Sequence, residues 1–373
     1  MRDEAVIVGA GQAGIVLSFY LRRLQVPHIV LERDRAFASW HNRWNGFRTN
    51  TPNWMNTIPV LEARRVPGDD PRSFATREEI VGYFEECIEA VHPHVLTGAN
   101  VQRIIEDDDG TWSVQTEGEV YRCRAVAVCT GAMSAPRIPA LAERIAPPVP
   151  QLHSSEYRKP DQITTGSVLV VGSGSSGMQI CSLLAESGRF NQVHLAVSKV
   201  LVLPRKILGV QVHRFLHWLG LFDVRKDSLR GRLMYARLGS RGDPITRPAP
   251  RDIARKQGVL LHGRLTNVEG DTLSFSDGST LGTHDLTIIW CTGFRADYGF
   301  IEARSPDAFI AESGFPNHTR GIVASAPGLY FVGLRYQYTV ASHDIYGVGR
   351  DAEFVANQIE SRVTGPESRV TRL

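Results

Sequence analysis

The sequence offers no cysteine pair. Its five cysteines, Cys87, Cys123, Cys129, Cys181 and Cys291, contain no C-x-x-C and no metal-ligand spacing. That excludes a sequence-adjacent redox dithiol, gives no reason to expect a metal, and fits a reducing cytoplasm without structural disulfides. Lysine is equally scarce: five lysines stand among 42 basic residues, and with 39 acids the net charge is +3, too slight for a nucleic-acid partner. No apolar run could span a bilayer. The greasiest stretch, 200–222, is broken by Arg205, Lys206 and Arg214, short of the ~20 apolar residues a span needs. Met1 is followed at once by Arg2, Asp3 and Glu4, so no signal core is visible and a cytoplasmic location is expected. What is present is ordinary globular composition, 42% hydrophobic and 22% charged. The 373 residues leave room for two domains of about 100–200 residues each.

Glycine carries the information. Ala5-Val-Ile-Val8 reads as a buried strand, followed by Gly9-Ala-Gly11-Gln-Ala-Gly14 and a helical pattern to about Leu24. Val168-Leu-Val-Val171 repeats the arrangement, with Gly172-Ser-Gly174-Ser-Ser-Gly177 and a helical pattern to about Ser187. A strand ending in Cys-Thr-Gly131 lies 122 positions after Gly9, and one ending in Cys-Thr-Gly293 lies 121 after Gly172. The chain therefore reads as a duplicated nucleotide-binding unit. The expected fold is α/β, with two three-layer Rossmann-like domains, β-meander insertions and a glutathione-reductase-like arrangement. Meander signals lie at 111–128 and around Asp277-Gly278. A proline-rich stretch, 136–166, reads as the linker. The expected division is 1–150 plus 294–373 for one domain, closed by a strand at 328–333 and a helix at 350–360, and 151–293 for the other.

The two turns want different nucleotides. In each, the first glycine permits the bend, the second admits a pyrophosphate and the third lets helix and strand pack closely. The strand after the first turn ends at Glu32, whose carboxylate suits a ribose diol and repels a 2′-phosphate. The strand after the second ends at Ser198-Lys199, a hydroxyl and a cation suited to a 2′-phosphate. The first site thus fits FAD and the second NADPH.

With both turns placed, the sequence resembles the class B flavoprotein monooxygenases, specifically their compact bacterial flavin-containing monooxygenase-like group. Besides the turns, the resemblance rests on Glu32-Arg33, Ser39-Trp40, Arg43-Trp44, Asn50-Thr-Pro52, His153-Ser-Ser-Glu-Tyr157-Arg158, Cys-Thr-Gly293-Phe-Arg-Ala-Asp297 and Gly347-Val-Gly349-Arg-Asp351-Ala-Glu. It covers nearly the whole chain. There are departures: Pro147 and Val149 stand where the family signature places an aromatic and a glycine, and Tyr157 replaces the tryptophan of the Baeyer–Villiger branch. The resemblance implies an NADPH-fed FAD that forms a C4a-(hydro)peroxide and inserts one oxygen atom of dioxygen into a small organic substrate. N- or S-oxidation or oxidative decarboxylation is favoured over Baeyer–Villiger chemistry.

Carried over residue by residue, the FAD side comprises Gly9, Gly11, Gln12, Ala13, Gly14, Glu32, Arg33, Trp40, Thr51, Gly131, Gly333 and Gly347. The NADPH side comprises His153, Gly172, Gly174, Ser175, Ser176, Gly177, Ser198, Lys199, Thr292 and Gly293. Asn50 is the implied catalytic side chain, its amide holding both the flavin's peroxide and the nicotinamide ribose; on the residues alone it could instead stabilise an Asn-Thr-Pro turn. Trp40 and Trp44 wall the flavin pocket or belong to a core, and His343-Asp344 faces the substrate end in one reading. The apolar positions of 200–222 fit a helical stripe packed on the NADPH unit, with a channel wall or a membrane contact as the minority readings. Two other functions stay open, a reductase passing electrons to a protein partner and a non-catalytic nucleotide sensor. Oligomeric state is open too, with a homodimer as one option.

Overall fold

The computed structural model describes residues 4–365 except 62–65, 69, 132, 199, 239–243 and 247. Two five-stranded parallel sheets dominate, and they share one strand order. The first is built on β1 (Ala5–Val8), which leads through the glycine turn into α1 (Gln12–Arg23). β2 (His28–Glu32) and β3 (Val95–Thr97) lie on one side of β1. On its other side lies β7 (Ala125–Val128), then a strand from near the C-terminus, Leu329–Phe331. Near-continuous apolar runs mark β1, β2 and β7 as strands covered on both faces.

Helices cover one face: α1, α3 (Arg77–Val91) and a long C-terminal helix, Ile345–Thr364, pack with the sheet in one apolar core. The other face carries an antiparallel meander of β4 (Arg103–Glu106), β5 (Trp112–Gln115) and β6 (Val120–Cys123). Its core holds Trp112, Val114 and Phe331.

The second sheet is centred on β9 (Ser167–Val171), followed by α4 (Ser175–Glu186). β10 (Gln192–Ala196) and then β11 (Leu260–His262) lie on one side. β15 (Leu286–Trp290) and then β8 (Gln151–His153) lie on the other. Its meander is β12 (Leu265–Glu269), β13 (Thr272–Phe275) and β14 (Thr280–Gly282), turning at Asp277-Gly278 as expected. Each sheet thus lies between a helical layer and a meander, the three-layer α/β arrangement read from the repeat.

Three expectations need correction. The proline-rich 136–166 stretch is not a plain linker: it contributes β8 to the second sheet, so His153 is a strand residue. The C-terminal helix starts at Ile345, not Arg350, because Asp344 already has extended backbone and leaves the first turn free to begin. The 200–222 stretch is not one amphipathic helix. Pro204 cannot donate to a helix ladder, and Leu208-Gly209, both at positive φ, turn a hairpin that pairs 206–207 with 210–211. Only α5 (Val212–Trp218) is helical there. Its neighbours are Trp54, Phe74 and Tyr346 of the first unit rather than the second sheet's core.

Candidate active site: two glycine turns joined through Asn50

The two turns are built alike. Gly9 and Gly172 adopt φ of 103° and 113°, where L side chains are rare. A Cβ on Gly14 would overlap the carbonyl oxygen of Gly9, and one on Gly177 that of Gly172. The first and third glycines of each turn are therefore packing requirements. The second differs: a Cβ on Gly11 or Gly174 would meet nothing within 4 Å. Both are N-caps without a side-chain cap, and no acid occupies either first turn. The first N–H groups of α1 and α4 thus face open space with uncancelled partial positive charge, a cradle that fits a pyrophosphate.

Glu32 closes the first cradle. Its Oε2 accepts from the Ala10 amide at 2.7 Å and its Oε1 from the Asp34 amide at 3.0 Å, fixing the carboxylate over the turn. Arg33 is exposed beside it. At the second turn Ser198 is exposed, and its amide donates to Ser173 Oγ at 3.2 Å, tying the end of β10 to the glycine loop. Lys199 lies outside the described residues.

The turns meet through the Asn50 segment. Asn50 Oδ1 accepts from the hydroxyl of Ser175, the first residue of α4, and from Gln179 Nε2 at 3.4 Å. Gln179 also spans the Arg48 backbone, donating to its carbonyl at 3.0 Å and accepting from its amide at 3.1 Å. From the other side, buried His213 of α5 hydrogen-bonds to the Asn50 backbone while burial holds its pKa down. Thr51 does not face the cradle freely: its hydroxyl donates to Asn56 Oδ1 at 2.5 Å, and buried Asn56 ties back to Thr49 at 3.1 Å. A residue of the first unit is thus fixed on the nucleotide turn of the second, 125 positions away.

Known proteins share this sequence pattern and this fold. The profile of the pyridine nucleotide-disulphide oxidoreductase family matches residues 6–202. A CzcO-like oxidoreductase of Geobacillus kaustophilus is 31% identical, covering 95% of this chain and 98% of that one. A rice indole-3-pyruvate monooxygenase, YUCCA1, is 28% identical, covering 95% of this chain and 91% of its own. Among solved structures, the flavin-containing monooxygenase of Stenotrophomonas maltophilia superposes with a TM-score of 0.73 at 21% identity, covering 97% of this chain and 99% of that one.

The chain belongs to the pyridine nucleotide-disulphide oxidoreductase family. Within it, it stands in the class B flavin monooxygenase-like group, and it is a flavin-dependent oxidoreductase. All five of the oxidoreductase's cysteines are buried free thiols. Burial pushes those of Cys87 and Cys181 up to about 12 and raises Cys129 and Cys291 further still. Cys129 and Cys291 fill the floor of each turn: a Cβ on Gly9 would lie 2.9 Å from the Cys129 carbonyl oxygen.

The remaining expected residues fall into two groups. Around the first turn, Trp40 donates from Nε1 to Gln12 Oε1 at 3.2 Å, and Gln12 Nε2 donates to the His343 carbonyl at 3.1 Å, linking α1 to the loop before the C-terminal helix. Ala13 is buried in α1, and a Cβ on Gly333 would press on it at 3.0 Å. A Cβ on Gly347 would overlap the Ala341 carbonyl, so this glycine lets the helix seat on that loop. Gly131 and Gly293 adopt φ of 77° and 85° and have open space at their Cβ positions. At the second turn, Thr292 Oγ1 donates to the Arg137 carbonyl at 2.5 Å, and Ser176 sits half-buried in the first turn of α4. His153 Nε2 lies 3.0 Å from the Gly293 carbonyl, and Nδ1 lies 2.8 Å from Ser155 Oγ. Burial lowers the pKa of His153, so a neutral ring donates from one nitrogen to that carbonyl.

Other residues belong to the core. Trp44 is 1% exposed and Tyr157 fully buried, both in the apolar core beneath α4. His343 pairs with Asp344 at 3.6 Å. Gln179, His213 and Asn56 escaped the sequence reading. Each acts through tertiary contact with a distant loop, and no local spacing signals it.

Proposed function

We propose that the protein is an NADPH-dependent FAD monooxygenase of a small organic substrate, with residues 1–150 plus 294–373 holding FAD and 151–293 holding NADPH. The observation that carries this reading is the grip of Ser175 and Gln179 on Asn50. A nicotinamide reducing a flavin must reach its ring face, and this contact brings the loop of one nucleotide unit onto the helix N-terminus of the other. When bound, reduced flavin supplies two electrons to dioxygen, one oxygen atom going to substrate and the other to water.

The chain's own residues do the rest. Gly9, Gly11 and Gly14 admit the FAD pyrophosphate to the α1 N-terminus, and Glu32 holds the ribose diol. Gly172, Gly174 and Gly177 do the same for NADPH, with Ser198 and Lys199 placed by sequence for its 2′-phosphate. Asn50 keeps an amide nitrogen for a ligand while its oxygen is occupied by Ser175 and Gln179. The uncapped N-terminus of Ile345–Thr364 favours the negative charge of a reduced flavin ring. His153 holds Gly293 in place, and a buried apolar core packs behind each turn. Heteroatom oxidation or oxidative decarboxylation is the favoured outcome for substrate.

Rapid mixing of the NADPH-reduced enzyme with air-saturated buffer tests the oxygen step. Reoxidation is expected in two resolved absorbance phases. Asn50→Ala should shorten the first phase on the order of tenfold, the loss of about one hydrogen bond's worth of stabilisation. Direct single-phase return to oxidised flavin would instead support a reductase that hands electrons to a protein partner.

A further inference from the structure

The segment that carries α5 has a surface the nucleotide chemistry does not use. Fourteen large hydrophobic residues are exposed among the described residues, and eight of them fall between Leu201 and Tyr235. Leu208, at the hairpin tip, is 94% exposed, Trp218, at the end of α5, 80%, and Leu229, opening α6 (Leu229–Leu238), 79%. α6 is inverted relative to a core helix. Gly231 is buried and Met234 half-buried on one side, so helical spacing turns Leu229, Leu233 and Ala236 outward. The same stretch, 201–238, holds eight basic residues and two acids, a net charge of +6 in a chain whose total is +3. Both acids are already paired: Asp223 with Arg350 at 2.6 Å and Asp227 with Arg225 at 2.5 Å. Lys206, Arg214, Arg230 and Arg232 stand exposed among the apolar side chains.

We propose that this stretch docks the enzyme on an anionic lipid surface. Sign and shape select the occupant. A symmetric contact with a second copy would bring two strongly positive faces together. Leu208 and Trp218, at the tips of a hairpin and a helix, stand almost fully exposed at the mouth of an open cleft. Protruding tryptophan and leucine beside arginine and lysine are the chemistry that seats at the headgroup boundary, where apolar burial and attraction to anionic lipid add. No helix of the described residues is long and apolar enough to cross a membrane, so the contact is peripheral. The hairpin tip and α5 also rim a cleft of about 790 Å³ that reaches His217, so docking would bring that opening to the lipid.

Sedimentation of the flavin-loaded enzyme with phosphatidylcholine vesicles, with or without an equal share of phosphatidylglycerol, tests the proposal. Binding is expected to the anionic vesicles only, and to be lost as salt rises from about 0.1 M to about 0.5 M. Leu208→Ser with Trp218→Ser, or Arg230→Gln with Arg232→Gln, should each weaken it about tenfold, while these exposed changes leave the melting temperature unaltered. Failure to sediment with either vesicle, equal binding to both, or a dimer in vesicle-free solution that the Trp218 variant dissociates would overturn it.

Discussion

Gly11→Ala is expected to yield a folded protein that purifies without flavin, whereas Gly14→Ala is expected not to fold. The two glycines are three residues apart in one turn, and only the surroundings of their missing side chains separate them. At Gly14 a methyl group would overlap the Gly9 carbonyl oxygen, backbone against backbone, where neither can move aside. The clash lies between β1 and α1 at the centre of the first core, so a loss above about 4 kcal/mol is expected. At Gly11 the φ of −78° suits alanine, and a Cβ has nothing within 4 Å. The cost to the fold is that of an N-cap exchange, under about 1 kcal/mol. The methyl group would instead occupy the space a pyrophosphate needs, weakening FAD on the order of 100-fold or more, about 3 kcal/mol. Gly174→Ala should mirror this, keeping flavin but losing NADPH. Flavin absorbance and thermal melting on the same samples check both halves; a yellow Gly11→Ala protein would show that this turn holds no dinucleotide.

The melting temperature should fall by about 5 °C between pH 7 and pH 5, and His194→Leu should flatten part of that fall. A hydrogen-bonded chain crosses the second unit. Ser279 Oγ donates to Asp277 at 2.7 Å, leaving its lone pair for His262 Nδ1 at 2.9 Å, and His262 Nε2 lies 2.9 Å from His194 Nδ1. His262 must therefore carry its proton on Nδ1 and accept from His194. That leaves His194 Nε2 buried without a partner. A proton there would be an unsatisfied buried cation, and one on His262 Nε2 would break the ring-to-ring bond. Burial and the neighbouring ring push His194 down to about 4, and His262, His153 and His213 are lowered by burial as well. A histidine with a lowered native pKa stabilises the fold fully above its unfolded value of about 6.5, and that stability drains as pH falls toward the native value. A melting temperature flat from pH 7 to pH 5 would refute the neutral pair.

What could be read from the sequence was whatever depends on backbone shape. The glycine turns, the strands entering them and the paired Cys-Thr-Gly ends need no partner from elsewhere in the chain, and all stand where the spacing placed them. The fifth strand of the first sheet, 329–331, lies where the closing strand at 328–333 was expected, but that of the second was not legible, because β8 comes from the proline-rich stretch that reads as a linker. Asn50 was visible as a turn residue, but its grip on Ser175 joins positions that only the packed units bring together. The 200–222 stretch misled because its apolar residues sit at helical spacing, while Pro204 and the Leu208-Gly209 turn break the helix and send several of them outward. Periodicity reports which residues share a face, not what that face meets.

An anaerobic titration of the purified yellow protein with NADPH, and separately with NADH, tests the central claim that the two units bind different nucleotides and act together. The account predicts that about one equivalent of NADPH bleaches the flavin, that NADH does so only at far higher concentration, and that Lys199→Ala removes most of the difference. A protein that carries no flavin, or whose flavin neither nucleotide reduces, would contradict it.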